Sequence, residues 1–368
     1  MNNKQRLLQL DSLRFFALLV IVVSHFEFLK DTTIGTFYEK FLHNPTWGVD
    51  YFFLLSGFGL FYVNKDKELS NNFKSSISFA ISKIKKIYFL YITSLIISIP
   101  YNYLHYKVSV KNIVIKFFVD LTLCQSCFGT ISLSHGINDV CWFLSSLFIC
   151  YIFSPLLINI IKKNITDYKK SIITMCTTIL VILVLSGFAL LIESINFNGF
   201  SFNDFFYGSP YIRLFYVLIG MLCANVYFLN QEKDKDCKSN LTLVEILYSL
   251  FFILYSLFRN SLMVNLVLLR FFDLILVTIL LLLFSNSKGK VTYVLVKCKT
   301  LYIIGGTYGM YVYLLHFPIR VTCLYLLKKL KGNAIYDNDY YILVLVILFL
   351  TALFSLIFRK IHKKVKGL

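Results

Sequence analysis

Apolar residues run in blocks about 20 long from Leu7 to Phe358, separated by shorter polar stretches. A bilayer core of about 30 Å takes about 20 residues of helix. On that template the pattern predicts ten spans: Leu7–Phe28, Trp47–Val63, Lys83–Leu104, Asp139–Ile161, Ser171–Ile192, Pro210–Leu229, Leu243–Leu257, Leu262–Phe284, Leu301–Val321 and Tyr341–Phe358. Val110–Leu123 is apolar but short and carries Lys111, Lys116 and Asp120, so it reads as an interfacial or re-entrant helix. The expected fold is all-α: a polytopic transmembrane helical bundle of about ten spans, one membrane domain over residues 1–368. No internal repeat and no soluble appendage is expected. The first apolar run holds Asp11 and Arg14 and is followed by no small-residue cleavage site, so it should stay in place as a helix rather than be removed as a signal.

Composition narrows the function classes. The chain is 58% hydrophobic and 15% charged, whereas soluble domains are about 45–50% apolar and about 25% charged. With 37 Phe and 25 Tyr, a soluble enzyme and a disordered chain are both excluded. The net charge of +18 does not point to nucleic acid, because the basic residues lie in short clusters between apolar blocks. That is how topology is written. With the N-terminus in the cytoplasm, 24 of the 37 Lys and Arg fall in inside segments, nine outside and four within spans. Both termini are therefore expected to be cytoplasmic. Most of the nine cysteines sit in apolar runs, where they act as small hydrophobes. Cys124 and Cys127 form a C-x-x-C with only His135 nearby, too little to predict a metal site. No metal is expected.

Charged groups within a bilayer cost at least about 2.5–3.5 kcal/mol each on insertion scales, so each is a functional candidate. Arg14 and His25 are 11 residues apart, which places them about 16.5 Å apart on one helical face, with Asp11 one turn below Arg14. Such a stripe either lines a polar cavity, or reduces to an Asp11–Arg14 ion pair with His25 bonded to a neighbouring helix. Asp50 opens the second span at the depth of His25. A carboxylate on one imidazole nitrogen would fix the tautomer and raise the basicity of the other, giving a general-base pair. Alternatively, Asp50 caps its helix. Gly57 would allow close helix packing. Lys83, Lys85 and Lys86 begin the third span, either as a topology signal or as a row of cations leading toward Arg14 for a polyanionic donor. Arg270 and Asp273 stand i,i+3 and should pair. Arg213 and Arg320 lie near outer helix ends, where they can snorkel. His316 stands one turn before Arg320, with Pro318 expected to free a carbonyl beside it.

Four segments, in order, resemble the acyltransferase 3 family of bacterial integral membrane acyltransferases. Leu10-Asp11-Ser12-Leu13-Arg14 followed by Ser24-His25-Phe26 is similar to the family's opening L-D-x-L-R…H. Gly48–Phe58 resembles G-V-D-x-F-F-x-L-S-G-F. Cys141-Trp142-Phe143-Leu144 with Ser154-Pro155-Leu156-Leu157 resembles W-F-L…P-L-L. Thr307–Pro318 resembles S-x-G-x-Y-x-x-H-x-P. The chain departs from the family pattern at Ser146 and Leu147, where many members carry Glu after the Trp, and at Phe89, where Pro is usual.

The resemblance implies transfer of an acyl group, with acetyl-CoA the expected donor and no permanently bound cofactor, to a hydroxyl of a surface or exported glycan. The setting is a multi-pass protein of the bacterial cytoplasmic membrane. His25 and Asp50 are the expected catalytic pair. Arg14, Lys83, Lys85 and Lys86 are expected at the donor, and Asp11, Arg213, Arg270, His316 and Arg320 along the substrate path. The bilayer is a partner, nucleic acid is not, and any glycan-synthesis partners are not specified. The alternative is a transporter or flippase for a glycan or lipid-linked sugar, which would predict internal pseudo-symmetry.

Overall fold

A computed structural model describes residues 5–43, 46–128, 134–193, 207–233, 241–262, 266–332 and 334–365. Every regular element among them is helical. The principal helices are α1 (Leu8–Ser24), α2 (Thr46–Asn64), α3 (Phe73–Leu104), α4 (Val110–Leu121), α5 (Trp142–Asn164), α6 (Tyr168–Glu193), α7 (Pro210–Lys233), α8 (Thr242–Leu262), α9 (Leu266–Asn286), α10 (Lys290–Lys297), α11 (Gly309–Lys331) and α12 (Asp337–Val365). The all-α bundle expected from the apolar blocks is the fold observed.

Eight of the described helices are long and apolar enough to cross a membrane, and they coincide with eight of the ten expected spans. The other two expected spans are α1 and α2, helices of 17 and 19 residues. α1 falls short in length, and α2 carries Asp50 among its apolar residues. The expected span Lys83–Leu104 starts ten residues earlier, at Phe73, where Asn72 caps the helix by accepting from the Ser75 N–H at 2.7 Å. The expected Leu301–Val321 is reached through Lys299–Ile303 and a π turn, Ile304–Tyr308, and then runs on unbroken to Lys331.

α2 lies at the centre, packed on α1, α7 and α9. Its crossing with α7 is backbone on backbone. A Cβ at Gly57 would come within 1.9 Å of the Val217 carbonyl, and one at Gly220 within 1.9 Å of the Leu54 carbonyl. Each helix gives up one side chain so that the other can approach, the use of small residues expected for Gly57.

The short apolar run Val110–Leu123 forms the helix α4 over Val110–Leu121. Near its end Asp120 is fully buried, and its Oδ2 accepts from the Ile137 N–H at 2.8 Å. Gly136, at φ +69°, closes over it so tightly that a Cβ there would lie 2.3 Å from Oδ1. Burial pushes the Asp120 carboxyl from 3.8 up to about 7. The folded chain thus holds this proton more tightly than the unfolded chain does. The stability it contributes is complete below about pH 4 and is lost as pH rises through about 7. The thermal midpoint of the purified protein should therefore fall more steeply between about pH 5 and about pH 7.5 in wild type than in Asp120→Asn. Equal slopes would show that Asp120 does not titrate in this window.

Candidate active site

The site is built where the end of α1 meets the middle of α11. Pro318 has no N–H to offer the Leu314 carbonyl one turn back, so that carbonyl is open to an outside donor. Asn138 supplies one, its Nδ2 donating to Leu314 O at 3.0 Å. Tyr313 OH donates to Val140 O at 3.0 Å in the same contact. The expectation that Pro318 frees a carbonyl near His316 is met, and the freed group fastens α11 to the turn Asp139–Cys141 that leads into α5.

His25 follows directly on α1 and meets His316. Their rings lie 5.0 Å apart, with His316 Nε2 3.3 Å from His25 Nδ1. The tautomers follow from the carbonyls around them. Ile21 O stands 2.7 Å from His25 Nδ1, and Tyr313 O stands 2.7 Å from His316 Nδ1. A carbonyl only accepts, so in each neutral ring Nδ1 carries the hydrogen. His316 Nε2 is then a lone pair turned toward the His25 N–H. The lone pair of His25 itself is on Nε2. This is the ring state that a general base requires.

Charge is arranged around the pair. Arg320 donates to the His25 carbonyl at 2.6 Å, lies 4.7 Å over the Phe317 ring and approaches Glu27 at 3.8 Å. Arg320 therefore does not snorkel as expected; its side chain is 8% exposed and braces the end of α1.

Asp50 is not the partner of His25. Its Oδ1 accepts from Arg213 Nη1 at 2.6 Å, with both side chains 2% exposed, and its Oδ2 makes no hydrogen bond. The close α2–α7 crossing brings the two together and draws Asp50 toward α7 rather than toward α1. Arg213 is therefore fully enclosed instead of snorkelling. It lies over the rings of Phe53, Tyr207 and Tyr216 at 4.6 to 4.9 Å, and its Nε donates to Tyr207 O at 2.7 Å. Arg270 joins this cluster over Tyr207, beside a pocket of about 20 Å³, the size of a single water, that Asp50 and Arg213 also line.

Arg270 and Asp273 do not pair, although they are i,i+3. Asp273 is held by Arg259 at 2.6 and 3.2 Å, by Tyr255 OH at 2.9 Å and by Thr46 Oγ1. Arg259 lies beyond the expected span, which ends at Leu257. Neutralised by Asp273, it lets α8 continue to Leu262. Glu245 was also missed. Fully buried on α8, it accepts from the N–H groups of Gly289, Val291 and Thr292 at 2.8 to 3.1 Å and from two hydroxyls, capping α10 from a neighbouring helix.

At the other end of α1, Asp11 binds Arg6 at 2.5 Å and Arg14 at 3.3 Å. The local ion pair considered for this stripe is present. The Arg14 side chain remains 30% exposed, with its Nε in no hydrogen bond. Lys83 lies over the Phe79 ring at 4.6 Å, while Lys85 and Lys86 are exposed on α3. The structure therefore gathers His25, His316 and Arg320 at one end of α1, keeps Asp11 and Arg14 at the other, and sets Asp50, Arg213 and Arg270 apart from both. Cys124 and Cys127 are free thiols, half-buried. Among the described residues, no group of three or more His, Cys, Asp or Glu is placed to hold a metal ion.

Comparison with known proteins bears on this arrangement. The family model described as an acyltransferase domain matches residues 7–360. Acyltransferase MdmB of Streptomyces mycarofaciens is 31% identical over 166 residues, 43% of this chain. The chain spans 41% of the length of that curated relative. No solved structure matches it.

Proposed function

The chain belongs to the acyltransferase 3 family, and on that premise we propose that it is a membrane O-acyltransferase of a bacterial cytoplasmic membrane. It passes an acyl group, most simply acetyl, from cytoplasmic acyl-CoA to a hydroxyl of a cell-surface or exported glycan. The end of the bundle where α1 begins and α12 ends faces the cytoplasm, the side favoured by the distribution of Lys and Arg. The His25 end receives the acceptor.

The reading is carried by the His25–His316 pair. His25 Nε2 removes the acceptor hydroxyl proton as the oxygen attacks the thioester carbonyl. The N–H of the same ring is shared between Ile21 O and His316 Nε2, so the imidazolium that forms already faces two acceptors. When the carbon–sulfur bond breaks, the proton returns from Nε2 to the departing thiolate, and the ring regains its starting state. His316 acts as a positioning residue for His25, and Arg320 fixes the backbone on which the ring hangs. Asp50 and Arg213 shape the framework between α2 and α7.

Mass spectrometry of the cell-surface glycans, with and without the gene, tests the proposal. The mass of one acyl group on glycan fragments should appear only in the strain with the gene, and its value names the group. Identical glycan masses in both strains would reject the glycan acceptor.

A further inference from the structure

The π turn Ile304–Tyr308 is pressed onto the first turns of α1. A Cβ at Gly305 would lie 2.1 Å from the Asp11 carbonyl, and one at Gly306 would lie 2.2 Å from Arg6 Nη2. At Gly305 only glycine fits, because the atoms it meets are α1 backbone, and π turns within helices are frequent at functional sites. The turn passes into α11 at Tyr308–Gly309, with an arginine against each residue. Arg14 runs past Gly309, its Cδ 3.8 Å from the position a Cβ would occupy. Arg359 of α12 lies 4.4 Å over the Tyr308 ring and donates to its hydroxyl at 2.5 Å.

The surroundings are basic. One turn on, Tyr311 OH meets His362 Nδ1 at 2.6 Å, and His362 stacks on Phe89 of α3. Lys85 and Lys86 stand one turn before Phe89. Tyr311, His362 and Phe89 therefore tie α11 and α12 to the stretch of α3 that carries the lysines. Asp11, the carboxylate beside this turn, is already shared by Arg6 and Arg14. Among the described residues Arg359 makes no ion pair with a carboxylate. A stacked guanidinium, held by a neutral hydroxyl and left without a counter-ion, is a group prepared for phosphate.

We propose that Arg359 and Arg14, set against Tyr308 and Gly309, form a two-arginine clamp for the diphosphate of the acyl-CoA donor. This rests on the donor class proposed above. A phospholipid headgroup offers the same phosphate chemistry, so the two sources must be separated.

The test is binding of coenzyme A to the full-length protein in nanodiscs of phosphatidylcholine, which carries no net charge. Wild type should bind saturably. Arg359→Ala should weaken binding about 10-fold or more, the scale of losing hydrogen bonds to a charged group. Arg359→Lys should restore only part of it, because a point charge does not replace the fork. Dephospho-coenzyme A, which keeps the diphosphate and lacks the remote phosphate, should lose as much on Arg359→Ala as coenzyme A does. Tyr308→Phe, which removes one oxygen and keeps the ring, should weaken binding with an unchanged melting temperature, and it serves if Arg359→Ala is not monodisperse. Equal affinity of wild type and Arg359→Ala would overturn the clamp and leave the donor class standing. No binding by wild type would overturn the donor class and the clamp with it. A dependence on Arg359 confined to discs containing phosphatidylglycerol would assign the arginine to lipid and overturn the clamp.

Discussion

His25→Ala should lower turnover per folded molecule by about 10²–10⁴-fold, the range that a positioned general base supplies. The ring is half-buried at the end of α1, where it meets His316 and Phe317 at one edge of the bundle core, and the variant should still yield monodisperse protein with a near-normal melting temperature. His316→Ala should also cost turnover, because without it the His25 N–H loses the Nε2 acceptor at 3.3 Å. Residues acting on one proton transfer are non-additive. The double variant should therefore be little worse than His25→Ala alone. Activity should fall at acid pH, where a protonated imidazole can no longer accept the hydroxyl proton. Turnover measured per unit of detergent-stable protein decides the matter. Near-normal turnover in folded His25→Ala would end the general-base assignment and bring the transporter reading forward.

Asp50→Ala should fail first as a protein and only then as an enzyme. Removing one partner of a buried ion pair typically costs about 3–5 kcal/mol, because the other charge is left in a dry site. A folded domain has only about 5–15 kcal/mol in hand. Arg213 would face that situation under four aromatic rings, 2% exposed. The yield of monodisperse protein should drop sharply, and Arg213→Ala should do the same. Replacing the pair together, Asp50→Leu with Arg213→Met, should recover much of the loss, since apolar substitution of a buried pair is often near neutral. Melting temperature and chromatographic profile are the readouts. An Asp50→Ala protein with wild-type stability and no turnover would instead return Asp50 to the chemistry.

These two residues also mark the limit of what the sequence discloses. Apolar block length predicts helices well, because a bilayer imposes one length on them all. It also identified His25, Arg14 and His316 as polar groups out of place. It could not assign partners. Asp50 was matched with His25 on similar depth along neighbouring spans, but depth says nothing of azimuth. The azimuth was set by Gly57 and Gly220, which turn α2 onto α7. The Arg270–Asp273 pairing rested on i,i+3 spacing, a rule for an isolated helix. A competing guanidinium from α8, Arg259, won because it reaches both carboxylate oxygens. Arg259 and Glu245 were overlooked for a common reason: each sits near the end of its helix, where a charge looks solvated until the chain folds over it.

The Asp50–Arg213 ion pair spans 163 residues of chain. At synthesis rates of about 5–20 residues per second, α7 emerges roughly 8 to 33 s after α2. Throughout that interval α2 has an unneutralised carboxylate and no glycine-faced neighbour to press against. The hydrogen bond from Arg259 to Thr46 reaches further still, across 213 residues. α2 is thus made well before the groups that neutralise its carboxylate and bind Thr46 exist. Its final seating belongs to the later stages of biogenesis, when α7 and α8 arrive and the provisional N-terminal hairpin is drawn into the centre of the bundle.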